Sequence, residues 1–165
     1  MKKYILTALC AFGLAFQAVN AEIMNFESAN REIPALSKLG PVSIANFNLN
    51  RQGNTIVARK NEKIFSTLNF SCDIPFADPD ALYQIVIGYE NVGPQKCIFN
   101  ELGYRFEGKE GILSFFCEAP DSPGVYDVQC KVFSAGSSVE ALQSWWDQKV
   151  GDFNSKTTIG RIIVK

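Results

Sequence analysis

The chain contains no histidine among its 165 residues. This removes the commonest general base and the usual partner of a serine or cysteine nucleophile. No C-x-x-C pair occurs either, so no common zinc ligand set can be assembled. Basic residues are not in excess, at 16 Lys and Arg against 17 Asp and Glu. A surface so poor in cationic charge argues against a nucleic-acid or anionic-membrane partner, since both are bound by displacing counterions with dense Lys and Arg. No internal repeat, charge block or low-complexity run divides the sequence. No apolar stretch reaches the ~20 residues needed to cross a bilayer core as a helix, so no transmembrane segment is expected.

The first residues have the three parts of a secretory signal: Lys2 and Lys3, an apolar stretch from Tyr4 to Phe16, and Val19-Asn20-Ala21 at the cleavage positions. Residues 1–21 are read as a cleaved signal peptide, and the product is expected in the periplasm or outside the cell. Cys10 lies inside the apolar stretch behind Leu9 and is discarded with it. The 144 residues from Glu22 to Lys165 suit one domain, and losing Lys2 and Lys3 moves the formal charge from -1 to -3. Four cysteines remain, Cys72, Cys97, Cys117 and Cys130, an even number that in an oxidising compartment points to two disulfides.

From Pro41 onward, short apolar runs alternate with turn residues. Ile64, Ser66, Leu68, Phe70 and Cys72 share one face of a strand, and Tyr126, Val128, Cys130 and Val132 share one face of another. Further strands are expected at Val42 to Leu49, Thr55 to Arg59, Ala81 to Tyr89, Lys96 to Asn100, Tyr104 to Glu107, Ile112 to Glu118 and Thr157 to Val164. Turn chemistry separates them, as at Gln52-Gly53-Asn54, Asp78-Pro79-Asp80 and Asp121-Ser122-Pro123-Gly124. Residues 22–40 are read as an irregular or short helical segment, with Pro34 suited to a first helical turn. Ser137 and Glu140 have the spacing of a capping box, which predicts a short helix from Ser137 to Asp147 before the last strand.

The run Asp121-Ser122-Pro123-Gly124-Val125-Tyr126-Asp127-Val128-Gln129-Cys130 resembles the start of the sixth strand of an immunoglobulin-like sandwich. There a tight turn leads to a Tyr that braces the corner, with a core cysteine following on the same face. The spacing from Tyr to Cys is four residues rather than two, and the third strand offers Tyr83, Ile85 and Ile87 in place of a core Trp. The resemblance is one of architecture, covers roughly Lys60 to Val164, and implies an all-β antiparallel sandwich of 7–9 strands with one short helix inserted before the last. It also implies two pairings, Cys72 with Cys130 across the core and Cys97 with Cys117 near the opposite end.

No cofactor is indicated, and no catalytic set emerges. Asp73, Asp78 and Asp80 fall within one loop and are the weak candidates for a calcium site, but their spacing is not that of an EF-hand and Pro75 and Pro79 stiffen the turn. Of the acids, Asp73 or Asp80 are the candidates for a carboxylate-dependent hydrolase. Asn69-Phe70-Ser71 fits a glycosylation sequon but sits inside a strand behind a leader of bacterial type.

Trp145 and Trp146 cannot both face one core, so at least one indole should reach the surface, where Trp often marks a binding hot spot. Phe65 and Phe133 fall on strand faces opposite the cysteines and would form an apolar patch unless another segment covers them. These four residues are the candidate binding site. The expected function is that of an exported non-catalytic module recognising a protein or glycan. The alternative is a structural or accessory subunit of a bacterial envelope or secretion assembly, with Glu22 to Leu39 as the segment exchanged.

Overall fold

The computed structural model describes residues 32–40, 42–72, 82–102, 110–146 and 153–165. The expected signal peptide, the expected strand at Tyr104 to Glu107 and Asp73, Asp78 and Asp80 lie outside them. Among the described residues nine strands are formed: β1 (Leu36–Leu39), β2 (Val42–Leu49), β3 (Thr55–Ala58), β4 (Lys63–Cys72), β5 (Leu82–Tyr89), β6 (Gly93–Leu102), β7 (Glu110–Glu118), β8 (Gly124–Ser134) and β9 (Phe153–Val164). A helix α1 (Ser138–Gln143) and a 3-10 turn (Ser144–Trp146) intervene before β9. The strands form a four-stranded sheet ordered β1-β2-β4-β7 and a five-stranded sheet ordered β3-β9-β8-β5-β6. All pairings are antiparallel except that of β3 with β9. The sets β2-β4-β7 and β9-β8-β5 reproduce the A-B-E and G-F-C orders of the immunoglobulin-like plan.

Period-2 alternation explains the core. In β4 every second residue from Ile64 to Cys72 is buried, and in β8 Val128, Cys130 and Val132 point the same way into the space between the sheets. Strand β2 keeps its apolar face through a bulge between Ala45 and Asn48. Ile44 is buried on one side of it and Phe47 and Leu49 on the other. A strand without the extra residue would have turned Phe47 and Leu49 to solvent. Asn46 takes the strained position at φ 52, which Asn tolerates better than most residues. At the foot of β8 the Tyr126 hydroxyl donates to the Ser122 carbonyl at 3.0 Å, which is the corner brace the sequence implied.

Two local expectations are corrected. Residues 32–34 have no regular structure and Leu36–Leu39 is a strand rather than part of a helix. Its pattern of Ser37 and Leu39 buried, Leu36 and Lys38 exposed, is that of an edge strand laid on the core. The inserted helix is shorter than Ser137 to Asp147, because the chain tightens into the 3-10 turn at Ser144. Its cap is the predicted one: Ser137 Oγ accepts from Glu140 N at 3.1 Å. The return bond differs by one residue, with Glu140 Oε2 accepting from Gly136 N at 2.8 Å.

Candidate functional site

The 3-10 turn sends its two indoles in opposite directions. Trp145 is fully buried in a second, smaller apolar cluster on the outer face of the five-stranded sheet, with Val86, Phe133, Ala135 and Ala141. Gly88 is what admits it, because a Cβ there would stand 2.8 Å from Trp145 Cζ2 and 2.5 Å from the Gly93 carbonyl. Trp146 is 57% exposed. It rests against Gly93, where a Cβ would meet its Cζ2 at 3.3 Å, and the exposed Val92 precedes that glycine.

Lys156 on β9 joins the two rings, with Nζ 4.8 Å from the Trp145 ring centre and 4.6 Å from that of Trp146. Such a cation is attracted by the negative faces of the rings. Partial burial, then repulsion from the Lys131 ammonium, pushes the Lys156 pKa below the usual lysine value, while Glu90 partly restores it. Lys131 is itself buried and stacks over Phe133 at 4.4 Å. The result is one flat indole face on a rigid base, rimmed by an ammonium and a carboxylate.

Of the four residues the sequence singled out, three meet here: Trp145, Trp146 and Phe133. Phe133 is not an exposed patch, because α1 and Trp145 cover it. Phe65 lies elsewhere, half-buried on the outer face of the four-stranded sheet, edge-on to Phe116 at 5.4 Å. Lys63 stands over Phe116 at 4.6 Å. Sequence patterning missed Lys156, Gly88 and Gly93, since a lone Lys between Ser155 and Thr157 and glycines in strands carry no local signal of what they face.

Neither implied disulfide stands at bonding distance. Cys97 belongs to the outer cluster around Trp145, whereas Cys117 is in the main core, so a sheet separates them. Cys72 and Cys130 do both face that core, but register holds them at different heights. Cys72 ends β4, nine residues and about 30 Å from Lys63, which pairs with Glu118. Cys130 lies two register steps from the Tyr89 and Val128 pair, at the end where the Tyr89 hydroxyl donates to the Glu118 carbonyl at 2.7 Å.

Burial pushes the Cys130 and Cys117 pKa values up, and burial also raises that of Tyr89. Cys117 Sγ lies 3.2 Å from Ser66 Oγ, and Cys97 Sγ donates to Gln84 Oε1 at 3.0 Å. Among the described residues no three Cys, Asp or Glu side chains gather as metal ligands, and no helix is long and apolar enough to span a membrane. No protein-family model matches this chain, and no curated protein matches it with significance.

Proposed function

We propose that this chain is an exported, non-catalytic binding module that engages a protein partner through the exposed face of Trp146. The observation that carries the reading is the asymmetry of the indole pair. Trp145 is committed to the interior at 0% exposure while its neighbour keeps 57%. A large rigid side chain held above a buried anchor presents contact area at little entropic cost, which is the character of a hot spot. The charged rim of Lys156 and Glu90 suits a partner that offers an apolar side chain beside polar groups. Export rests on the leader of residues 1–21. Capture of envelope or supernatant proteins by the mature chain, compared with the Trp146→Ala variant, tests the proposal. A partner retained by the parent and lost by the folded variant supports it; an identical set of captured proteins would sink it.

A second reading, that of a structural or accessory subunit of an envelope or secretion assembly, is favoured by β7. This edge strand of the four-stranded sheet carries Ile112 at 69% and Phe116 at 47% exposure. Exposed apolar edges of this length recruit partner strands. Ser114→Lys, in the middle of β7, should abolish such pairing without touching the Trp146 surface. An assembly state unchanged by Ser114→Lys would leave the first reading alone.

A further inference from the structure

On the open side of the sandwich, where β1 and the β2 bulge face β9, lies a cleft of about 390 Å³. That volume is within the range of small-molecule sites, roughly 300–1,000 Å³. Its apolar part comes from Ile44, Phe47 and Ile159, and its polar part from Ser37, Asn46, Asn48 and Asn54. The Phe47 ring is held in place against Gly160, where any Cβ would collide with it. We propose that this cleft binds a neutral carbohydrate, independently of the Trp146 surface.

Three observations carry the assignment. The first is Ser37, which is 5% exposed and whose Oγ has no hydrogen-bond partner. An unmet hydroxyl at a core-facing position is unfavourable by about 1–3 kcal/mol, and Ser37 is part of this wall. The second is the amide set. Asn48 Oδ1 accepts from Gly53 N at 3.3 Å, and Asn54 Oδ1 accepts from Thr55 Oγ1 at 3.3 Å. Each amide therefore uses its oxygen to fix the loop and keeps its N–H donors, while the bulge lifts Asn46 to the mouth of the cleft as an exposed side chain with both functions.

The third is charge: among the described residues no lining residue is ionisable. A phosphate, a carboxylate or a metal ion would meet no countercharge there. Side-chain amides and a hydroxyl around an apolar floor match a molecule with hydroxyls along its rim and C–H groups on its face. A peptide strand would instead draw on a ladder of backbone groups.

The test follows the Asn46, Asn48 and Asn54 side-chain amide signals and the Ser37 backbone amide by NMR. Glucose, galactose, mannose and N-acetylglucosamine are titrated separately at millimolar concentration, with glucose 6-phosphate and a poly-glycine-serine peptide as contrasts. At least one neutral sugar should shift these signals saturably. Ser37→Ala and Asn46→Gly should each weaken that sugar at least tenfold. Neither variant should unfold, because Ser37→Ala removes an unmet hydroxyl and glycine adopts a φ of 52 freely. Trp146→Ala should leave sugar binding unchanged. The proposal is overturned if no neutral sugar shifts the signals, if glucose 6-phosphate or the peptide binds more tightly than every neutral sugar, or if both variants bind as the parent does.

Discussion

Arg161 Nε donates to Asp127 Oδ1 at 2.8 Å, and the two side chains keep only 3% and 7% of their exposure. They face each other across β8 and β9, where the register pairs Asp127 with Arg161. Alternation places them on the side of the five-stranded sheet opposite Val128 and Ile162, away from the main core. A charge pair withdrawn from water is costly to break from one side, because the remaining ion keeps its desolvation penalty. Asp127→Ala should therefore lower stability by about 3–5 kcal/mol. Asp127→Leu combined with Arg161→Met should recover most of that loss. Urea unfolding of the parent, both single variants and the double variant reads this directly; a full additive loss in the double variant would mean that the two charges do not act as a pair.

The indole pair makes a sharper contrast, since adjacent residues of one type should behave differently. Trp145→Ala opens a cavity in the outer cluster and should cost about 3–5 kcal/mol. Trp146→Ala loses mainly its share of the contact with Lys156, about 1 kcal/mol. Gly88→Ala tests the seat of Trp145 without replacing either tryptophan. It should destabilise by about 1–3 kcal/mol through overpacking and alter the near-ultraviolet dichroism of the indoles. Equal losses for the two tryptophans would contradict the division of roles on which the binding surface depends.

Thiol chemistry distinguishes the cysteines by the face they occupy. Native protein treated with a thiol reagent should be modified at Cys97, the one of the four that is not fully buried. Cys72, Cys117 and Cys130 should react only after unfolding, because burial keeps a thiol protonated and shielded. Peptide mapping without reduction should recover neither Cys72 bonded to Cys130 nor Cys97 bonded to Cys117. Recovery of the first would require β4 to shift along the sandwich, and recovery of the second would require Cys97 to leave the outer cluster.

Much of the fold was legible because strands write their burial locally. Ile64 to Cys72 and Tyr126 to Val132 show alternation that needs no knowledge of neighbours, and the turn at Asp121 to Gly124 announces the corner that Tyr126 closes. The helix cap at Ser137 was equally local. The disulfide pairing was not, since facing inward is a property of one strand whereas height along a sandwich is set by register with others. The same limit applies to function. Adjacent tryptophans announce that one indole must be exposed, but which one is decided by Gly88, more than fifty positions away in the sequence. The cleft at Ser37 depends on four separated segments and on a bulge that period-2 counting passes over.

Alkaline pH should unfold this protein through its interior. The Cys117 and Cys130 thiols and the Tyr89 hydroxyl have pKa values raised chiefly by burial, so in the native state they hold protons that the unfolded chain releases. The sign follows from linkage: where the unfolded state binds fewer protons, stability falls as pH rises. Their contribution is fully present below the ordinary thiol value of 9.0 and is lost progressively above it. Lys156 works in the opposite sense, since its lowered pKa means the native state releases a proton first, and stability gains slightly just below the usual lysine range. Its partial exposure keeps that term small. The melting temperature should therefore be flat up to about pH 9 and then decline. Cys130→Ala and Cys117→Ser should act in the same direction. Cys130→Ala removes a titrating group shifted by burial alone and should flatten the decline. Cys117→Ser should also flatten it while preserving the bond to Ser66. A decline of equal slope in the parent and in the variant lacking both thiols would place the alkaline sensitivity outside these two cysteines.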